Sequence, residues 1–311
     1  MINAIVSDPH RLRAIALQGH SSCIEPFLNL PAGLAKSLEF VTVIVRRIGS
    51  IDLSMLKGST KLRQLTTNMI PPYSSIVQLP LTQLTVLRLP CSRLHPRAAL
   101  SILRQCPSLI HCTLRLTNDG DDAPPDATPC LLPKLTHLDL LPWSRARFDY
   151  LPCIESLVLP RLTHLYLTYF HTVPQLPAAC YQRITQSGTL LTLKIDIPMS
   201  SPHLEELLRA SPFLIDLFMP RSAFSPWALE GVALGALLPK VRNLTCMIGI
   251  LGGFYSHLDM LVRRKLCLHA THIAEMTFMT KSSFNESQMR GSARYEEMVR
   301  LGWKIGVMTY R

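Results

Sequence analysis

Charge and long apolar runs are both scarce in this sequence. Charged residues make up only 17% of the 311 residues, against 48% hydrophobic residues, and this composition argues against disorder. No uninterrupted apolar run approaches the ~20 residues that a membrane-spanning helix needs. The first ten residues hold an aspartate and a proline where a secretory signal has its apolar segment. We therefore expect a folded, intracellular protein that does not bind membranes.

The motifs of common enzyme classes are missing as well. The sequence has no glycine-rich phosphate loop, no zinc-protease helix motif and no nucleophile elbow, so it makes no case for an enzyme or for a cofactor. The nine cysteines are scattered, and no two of them form a C-x-x-C pair. Structural cysteines are accordingly expected, rather than a metal or redox centre.

What the sequence does contain is a repeat. Windows resembling L-x-x-L-x-L recur eleven times, and their first residues are Leu12, Leu38, Leu62, Leu84, Leu109, Leu135, Leu162, Leu190, Leu214, Val241 and Ile273. Nearly all successive starts lie within the ~20–29-residue period of leucine-rich repeats, each of which contributes one strand and one helix. The spacing predicts an α/β fold, a leucine-rich-repeat solenoid. Such a fold is a curved right-handed superhelix with a parallel sheet on its concave face and helices on its convex face.

The two apolar residues of each L-x-L lie two apart on a strand, so both point to one face of the sheet. Stacked repeats then form a continuous internal ladder of leucines. Cys112 and Cys246 occupy ladder positions, which predicts that they are buried. Between the strands, Ser201-Pro202 and Ser225-Pro226 each predict a capping serine ahead of a proline in the first helical turn. A helix is also predicted to begin near Pro96.

We expect residues 1–280 to form an array of about eleven repeats, and residues 281–311 to form a C-terminal cap of the same domain. The cap is predicted to consist of a loop over Lys281–Gly291, one helix and a last strand. Residues 117–130 form a polar insertion, TNDGDDAPPDATPC. Its acidic cluster does not have the spacing of a calcium loop, so a solvated loop is favoured.

The strand residues that point away from the leucines line the predicted concave face. The residue in the middle of each L-x-L and the residue two positions earlier mix aromatic, basic and acidic groups, as protein-binding surfaces do. The candidate protein-binding residues are Arg88, His111, His137, Asp139, His164, Tyr166, Lys194, Asp216 and Phe218.

His111, His137 and His164 occupy the same position in three consecutive repeats, ~4.8 Å apart if their strands are adjacent. Three imidazoles could bind zinc with an open fourth position. Side chains that project in parallel do not converge tetrahedrally, however, and no carboxylate is evident behind each ring. Exposed histidines that contact a protein partner are the favoured interpretation, and no metal site is predicted.

The net charge of +11 is spread along the chain, with one run of three basic residues at Arg263–Lys265. A basic solenoid that binds nucleic acid is therefore the alternative to protein binding. This alternative predicts that the binding affinity falls strongly as the salt concentration rises. The two concave rows hold few basic residues, Arg88 and Lys194, so nucleic acid is not the expected partner.

Several segments resemble the leucine-rich-repeat region of the F-box-like protein family of mushroom-forming fungi. The similarity is sharpest from Leu62 to Leu167, in LPLTQLTVLRL, ILRQCPSLIHCTLRL, LPKLTHLDL and LPRLTHLYL. The closing RYEEMVRLGWKIGVM is similar to the usual ending of that family.

The resemblance implies a substrate-recognition part of an F-box-type cullin–RING ubiquitin ligase. In that family the repeats present a protein substrate, and an F-box ahead of them docks on a Skp-type adaptor. No F-box helix pair precedes Leu12, so adaptor binding is expected only if an F-box exists upstream. A free-standing scaffold is the alternative.

Overall fold

The structure is a computed structural model that describes residues 12–29, 36–46, 53–69, 71–117, 128–142, 151–168, 178–248, 251–280 and 283–309. The polar insertion predicted as a loop therefore lies mostly outside the described residues. The chain divides into two compact units, an N-terminal unit (Met1–Arg161) and a C-terminal unit (Leu162–Arg311).

Short strands alternate with helices along both units. The strands are β1 (Ala14–Gly19), β2 (Phe40–Val45), β3 (Gln64–Thr67), β4 (Val86–Leu94), β5 (His111–Leu116), β6 (Cys130–Leu131), β7 (His137–Pro142), β8 (Leu157–Val158), β9 (His164–Leu167), β10 (Thr192–Ile195), β11 (Asp216–Met219), β12 (Asn243–Met247), β13 (Glu275–Thr280) and β14 (Lys304–Thr309). The helices are α1 (Ser21–Leu28), α2 (Tyr73–Ile76), α3 (Pro96–Arg104), α4 (Leu151–Ser156), α5 (Ala178–Thr185), α6 (Ser201–Arg209), α7 (Pro226–Ala233), α8 (Leu251–Lys265), α9 (Ser283–Arg290) and α10 (Ala293–Arg300). Short 3-10 turns lie at Ser54–Leu56 and Leu81–Gln83.

Each unit contains a parallel sheet whose strands follow one another in chain order. In the N-terminal unit β1 to β5 and then β7 pair as neighbours, and in the C-terminal unit β9 to β14 do so. All eleven predicted windows are confirmed, because each strand begins two residues after the first residue of its window. The fold is that of a leucine-rich-repeat solenoid, as the repeat spacing predicted.

The ladder positions form the core of both units. Leu87, Leu89 and Leu114 are inaccessible to solvent, and so are Leu193 and Phe278. Cys112 and Cys246 are buried among them, as predicted. Burying one such apolar side chain contributes about 1.5–3 kcal/mol, and in a repeat array the contribution comes from contacts between neighbouring repeats.

The nine cysteines are free thiols. Four of them, Cys106, Cys112, Cys130 and Cys153, are buried in the N-terminal unit. Burial raises the pKa of the Cys106 and Cys153 thiols to about 12 and that of Cys130 to about 11. Thiols with pKa values this high stay protonated at neutral pH and are poor nucleophiles.

One of the two predicted serine caps differs from the sequence-based expectation, and the other is confirmed. Helix α6 begins at Ser201, so its N-cap residue is Ser200 and not Ser201, and the Ser200 side chain makes no capping hydrogen bond. At α7 the prediction is confirmed, since the Ser225 hydroxyl accepts a hydrogen bond from the Ala228 amide at 3.1 Å. The predicted helix near Pro96 is α3, with its proline in the first turn.

The C-terminal segment contains two helices where one was predicted. The described part of Lys281–Gly291 is not a loop, because residues 283–290 form α9. Contacts with β14 explain the difference: Arg290 donates to the Val307 carbonyl at 2.5 Å, and the Thr309 hydroxyl donates to Glu286 at 2.5 Å. The predicted last helix and last strand are α10 and β14.

Arg264, at the end of α8, is a buried cation of the C-terminal unit with 1% of its surface exposed. Its guanidinium donates to the backbone carbonyls of Val232, Leu238, Thr271 and Pro239 at 2.5–3.1 Å. Burial lowers the pKa of Arg264 to about 10. The side chain therefore ties the end of α8 to the end of α7, to the segment that follows α7 and to the segment that precedes β13. Among the described helices, none is long and apolar enough to span a bilayer.

Candidate binding surface

The surface of interest is the face of each sheet that carries no leucine ladder, here called the open face. Along the strands its residues alternate with ladder residues, and they form two rows across each sheet and a third row on the longer strands. The middle row holds the central residues of the L-x-L windows. The amino-side row lies two residues earlier on each strand, and the carboxyl-side row lies two residues later.

The described registers place all nine predicted binding residues on this face. Arg88, Asp139, Tyr166, Lys194 and Phe218 belong to the middle row. His111, His137, His164 and Asp216 belong to the amino-side row. The first four in chain order (Arg88, His111, His137 and Asp139) lie in the N-terminal unit, and the other five lie in the C-terminal unit.

In the N-terminal unit the open face brings two predicted histidines into contact. His111 and His137 are register partners on β5 and β7, and their ring centroids are 4.1 Å apart with a 37° angle between the planes. Nδ1 of His137 is also hydrogen-bonded to the Thr136 hydroxyl at 2.8 Å. The two half-buried rings are therefore in contact, tilted against each other, on the sheet surface.

Beside this pair, the middle row carries one anion and one cation. Asp139 accepts a hydrogen bond from the Thr113 hydroxyl at 2.9 Å. Arg88 is exposed and is the register partner of Thr113 on the neighbouring strand. Thr113 thus lies between the two charges, and the carboxylate is held in place by its own sheet.

In the C-terminal unit the open face contains a depression of about 520 Å³. Five residues that line it (His164, Lys194, Asp216, Phe218 and Glu275) bear the charged and aromatic groups that a partner would meet. Four of these were predicted as binding residues. The sequence placed Glu275 in the amino-side row, but it was not among the predicted binding residues. A depression lined by an aromatic ring and both signs of charge suits recognition of a polypeptide.

The Asp216 carboxylate in this depression is oriented by two hydrogen bonds. One of its carboxylate oxygens accepts a hydrogen bond from the Thr192 hydroxyl at 3.2 Å, and the other accepts one from the Asn243 side-chain amide. Both donors are register neighbours in the amino-side row. The sheet therefore fixes the orientation of the carboxylate before any partner arrives, which reduces the entropy cost of binding.

The other predicted residues include His164 and Tyr166 on β9 and Lys194 on β10 of the same open face. His164 is hydrogen-bonded to the Thr163 hydroxyl through Nδ1 at 2.8 Å, and it lines the same depression. Tyr166 is the register partner of Lys194, whose ammonium lies 6.0 Å from the centre of the tyrosine ring. This distance is the outer limit of a cation–π contact.

Sequence reasoning missed the carboxyl-side row. Met247, Met279 and Met308 are register partners on β12, β13 and β14, so three thioether side chains stand side by side on the open face. The first two are half-buried, and Met308 is 53% exposed. The signal was present in the sequence, because each methionine follows a buried ladder residue by one position.

Within the described residues, no group of three or more His, Cys, Asp or Glu side chains has an arrangement that could hold a metal ion. The functional groups on the open face are hydrogen-bonded side chains, aromatic rings and single charges. Such groups recognise a partner through shape, apolar contact and charge.

The strand–helix repeats define a leucine-rich-repeat fold, a class whose members are typically non-catalytic. No protein-family model matches the chain, and no curated protein matches it significantly. Among solved structures, the chain is similar to the protein in the crystal structure of the TLR13–ssRNA13 complex, with 17% sequence identity and a TM-score of 0.47. That similarity covers 79% of this chain and 33% of the other.

Proposed function

We propose that the protein is a non-catalytic recognition module that binds another protein through the open face. The observation that carries this proposal is the depression around Asp216 and Phe218, where an oriented carboxylate lies beside an aromatic ring. Aromatic groups and preorganised charges contribute most of the energy in protein–protein recognition.

The charge of the open face favours a protein over nucleic acid. In the C-terminal unit the cations Lys194 and Lys304 share the surface with the carboxylates Asp216 and Glu275. A phosphate backbone is bound by clustered cations, and carboxylates placed among them repel it. The net charge of +11 therefore arises mainly from residues away from this part of the face.

Site-specific photo-crosslinking in cells tests the proposal. A photo-reactive amino acid replaces Thr245, which lies in the depression, and in a matched control it replaces Trp227, which is 81% exposed on α7. We expect a defined protein to crosslink from position 245 and not from position 227. The crosslink should disappear when Phe218→Ala is added. Equal crosslinking from both positions would contradict the proposal.

The narrower role is selection of a protein substrate for ubiquitination, and it rests on the sequence resemblance described above. It predicts that the partner crosslinked from position 245 is degraded more slowly in cells that lack this protein, and that a Skp-type adaptor co-purifies with the native protein. A partner with an unchanged half-life and no adaptor would leave a scaffold as the role, with the open face still its binding surface.

A further inference from the structure

The open face of the C-terminal unit has two unlike sides separated by a floor of small residues. Across β12, β13 and β14 the middle row consists of Thr245, Thr277 and Gly306. Gly306 fits closely against its neighbour, since a Cβ atom built on it would lie 3.3 Å from Oγ1 of Thr277. The longer side chains of the two outer rows therefore rise above this floor and form a groove that crosses the strands.

One side of the groove is polar and acidic. On the same three strands it consists of Asn243, Glu275 and Lys304, and Asp216 continues this amino-side row on β11. Glu275 is exposed and has no ion-pair partner among the described residues, although Lys304 follows it in the row. Asp216 is oriented by its two hydrogen bonds and also has no ion pair in the described part of the chain. This side thus offers two carboxylates, with one ammonium group, that of Lys304, at its β14 end.

The other side of the groove is apolar. It consists of Met247, Met279 and Met308, which project from the same three strands. Methionine side chains are flexible and polarisable, so a row of them adapts to apolar side chains of different shapes. A row of partly exposed methionines at a binding surface is suited to the apolar edge of a partner.

The width of the groove matches a helix. On each strand the two outer rows are four residues apart, for example Asn243 and Met247, which corresponds to ~13 Å at about 3.3 Å per residue. An α-helix with its side chains is ~10–12 Å across. Across β12, β13 and β14 the groove is ~10 Å long at about 4.8 Å per strand, which equals about six residues of helix.

We infer that this groove binds an amphipathic helix of a partner protein, with lysine or arginine along one edge and large apolar residues along the other. The inference deepens the proposed function, on which it rests. The basic edge lies against Asp216 and Glu275, and the apolar edge lies on the three methionines. A helix with an acidic edge would place its carboxylates against those two side chains and is therefore rejected.

Two synthetic helical peptides test this inference on the full chain. Both are about 15 residues long, near the lower limit for a stable helix, and are stapled to keep them helical. Both carry leucines along one edge, and the other edge carries lysines in the first peptide and glutamates in the second. Binding is followed by NMR of protein labelled with ¹³C in the methionine methyl groups.

We expect the lysine peptide, and not the glutamate peptide, to shift the methyl signals of Met247, Met279 and Met308. Glu275→Gln should weaken binding of the lysine peptide by about two- to fivefold, the size of one exposed ion pair. Met279→Glu should weaken it by about tenfold or more, because it places a charge on the apolar side. The matched control is Glu296→Gln on α10, an exposed carboxylate outside the groove, which should change nothing.

Two results would overturn the inference: equal effects of the two peptides, or unmoved methyl signals at about 1 mM lysine peptide, where any useful affinity would show. Either result leaves the proposed function open to its own test. If a partner still crosslinks from Thr245 but its crosslink is insensitive to Glu275→Gln and Met279→Glu, the open face binds protein without using this groove. If no partner crosslinks from position 245, the proposed function fails as well.

Discussion

The open faces of the two units share one backbone plan and differ in chemistry. In the N-terminal unit the face carries the exposed apolar side chains Phe40 and Ile44, the stacked pair His111 and His137, and a single carboxylate, Asp139. In the C-terminal unit it carries alternating charges and a row of methionines. The difference shows that the repeat fixes where side chains project, while the outward residues set the chemistry of each face.

The interiors of the two units differ as well. The core of the N-terminal unit includes four buried thiols whose pKa values are raised by burial. The core of the C-terminal unit also includes buried thiols, Cys180 and Cys246, but it adds the side chains of Arg264 and His257. Protonated thiols are neutral near neutral pH, whereas a buried guanidinium and a buried imidazole respond to their surroundings through charge. The two interiors should therefore respond differently to substitution and to pH.

The largest expected effect separates the ladder from the open face. Leu114→Ala removes a fully buried side chain from β5, and we expect a loss of about 2–5 kcal/mol in the free energy of unfolding. Thr113→Ala, one position earlier on the open face, should cost about 0.5–1.5 kcal/mol, the net value of one hydrogen bond, here the half-buried one to Asp139. Denaturant unfolding of the full chain measures both. Equal losses would mean that the inward and outward rows are not distinct.

Arg264→Leu is expected to have the next largest effect. The substitution removes the guanidinium donor from three carbonyls. Those of Val232 and Leu238 keep a backbone N–H donor at 3.2 Å, whereas the Thr271 carbonyl keeps no donor among the described residues, and one such unsatisfied group costs about 1–3 kcal/mol. We expect a total loss of about 3 kcal/mol in the free energy of unfolding, because such costs are not additive. Tryptophan fluorescence during guanidinium unfolding follows the change.

Arg263→Leu is the matched control for this prediction. Arg263 precedes Arg264 on α8, but its side chain is exposed and pairs with Glu230 at 2.5 Å. Since solvent screens an exposed ion pair, its loss should leave the unfolding midpoint almost unchanged. If Arg263→Leu destabilised the chain as much as Arg264→Leu, the buried position of Arg264 would not be the cause.

A smaller effect is expected for the buried thiols. Cys112→Ser places a hydroxyl in a ladder position that is 1% exposed, which should cost about 1–3 kcal/mol unless the hydroxyl finds a hydrogen-bond partner. Cys112→Val keeps the site apolar and should cost less than about 1.5 kcal/mol. Thermal unfolding compares the two variants. A serine variant as stable as the valine variant would show that the site is not apolar.

The repeat array could be predicted because its signal is local and recurs eleven times. Each L-x-L window indicates which of its residues are buried and which point outward, so the strands were predicted correctly. The nine candidate residues lie on the open face, and their binding of a partner stays a prediction. Helix α9 was not predicted because its sequence, SFNESQMR, is polar. The helix depends on contacts that Arg290 and Glu286 make with β14. The contact between His111 and His137 also needed coordinates, since spacing gives a register but no ring orientation.

The smallest expected effect is a pH dependence confined to the C-terminal unit. His257 on α8 is 3% exposed, donates from Nδ1 to the Gly253 carbonyl at 2.6 Å, and meets the edges or faces of Phe224 and Phe278. Its Nε2 atom has no hydrogen-bond partner among the described residues. Burial lowers the pKa of this imidazole below its ordinary value of 6.5, so the ring is neutral in the folded protein.

Below pH 6.5 the unfolded chain therefore binds a proton at His257 that the folded chain does not bind. The contribution of His257 to the free energy of unfolding is therefore fully present above pH 6.5. It is lost as the pH falls from 6.5 towards the lower pKa that His257 has in the folded protein, and the free energy changes by at most about 1.4 kcal/mol per pH unit. We expect His257→Gln to flatten the dependence of the free energy of unfolding on pH between 6.5 and the acid range, whatever its effect at pH 8. His269→Gln, at an exposed histidine of the same unit, is the control and should leave the slope unchanged. An unaltered slope in His257→Gln would place the acid sensitivity elsewhere in the chain.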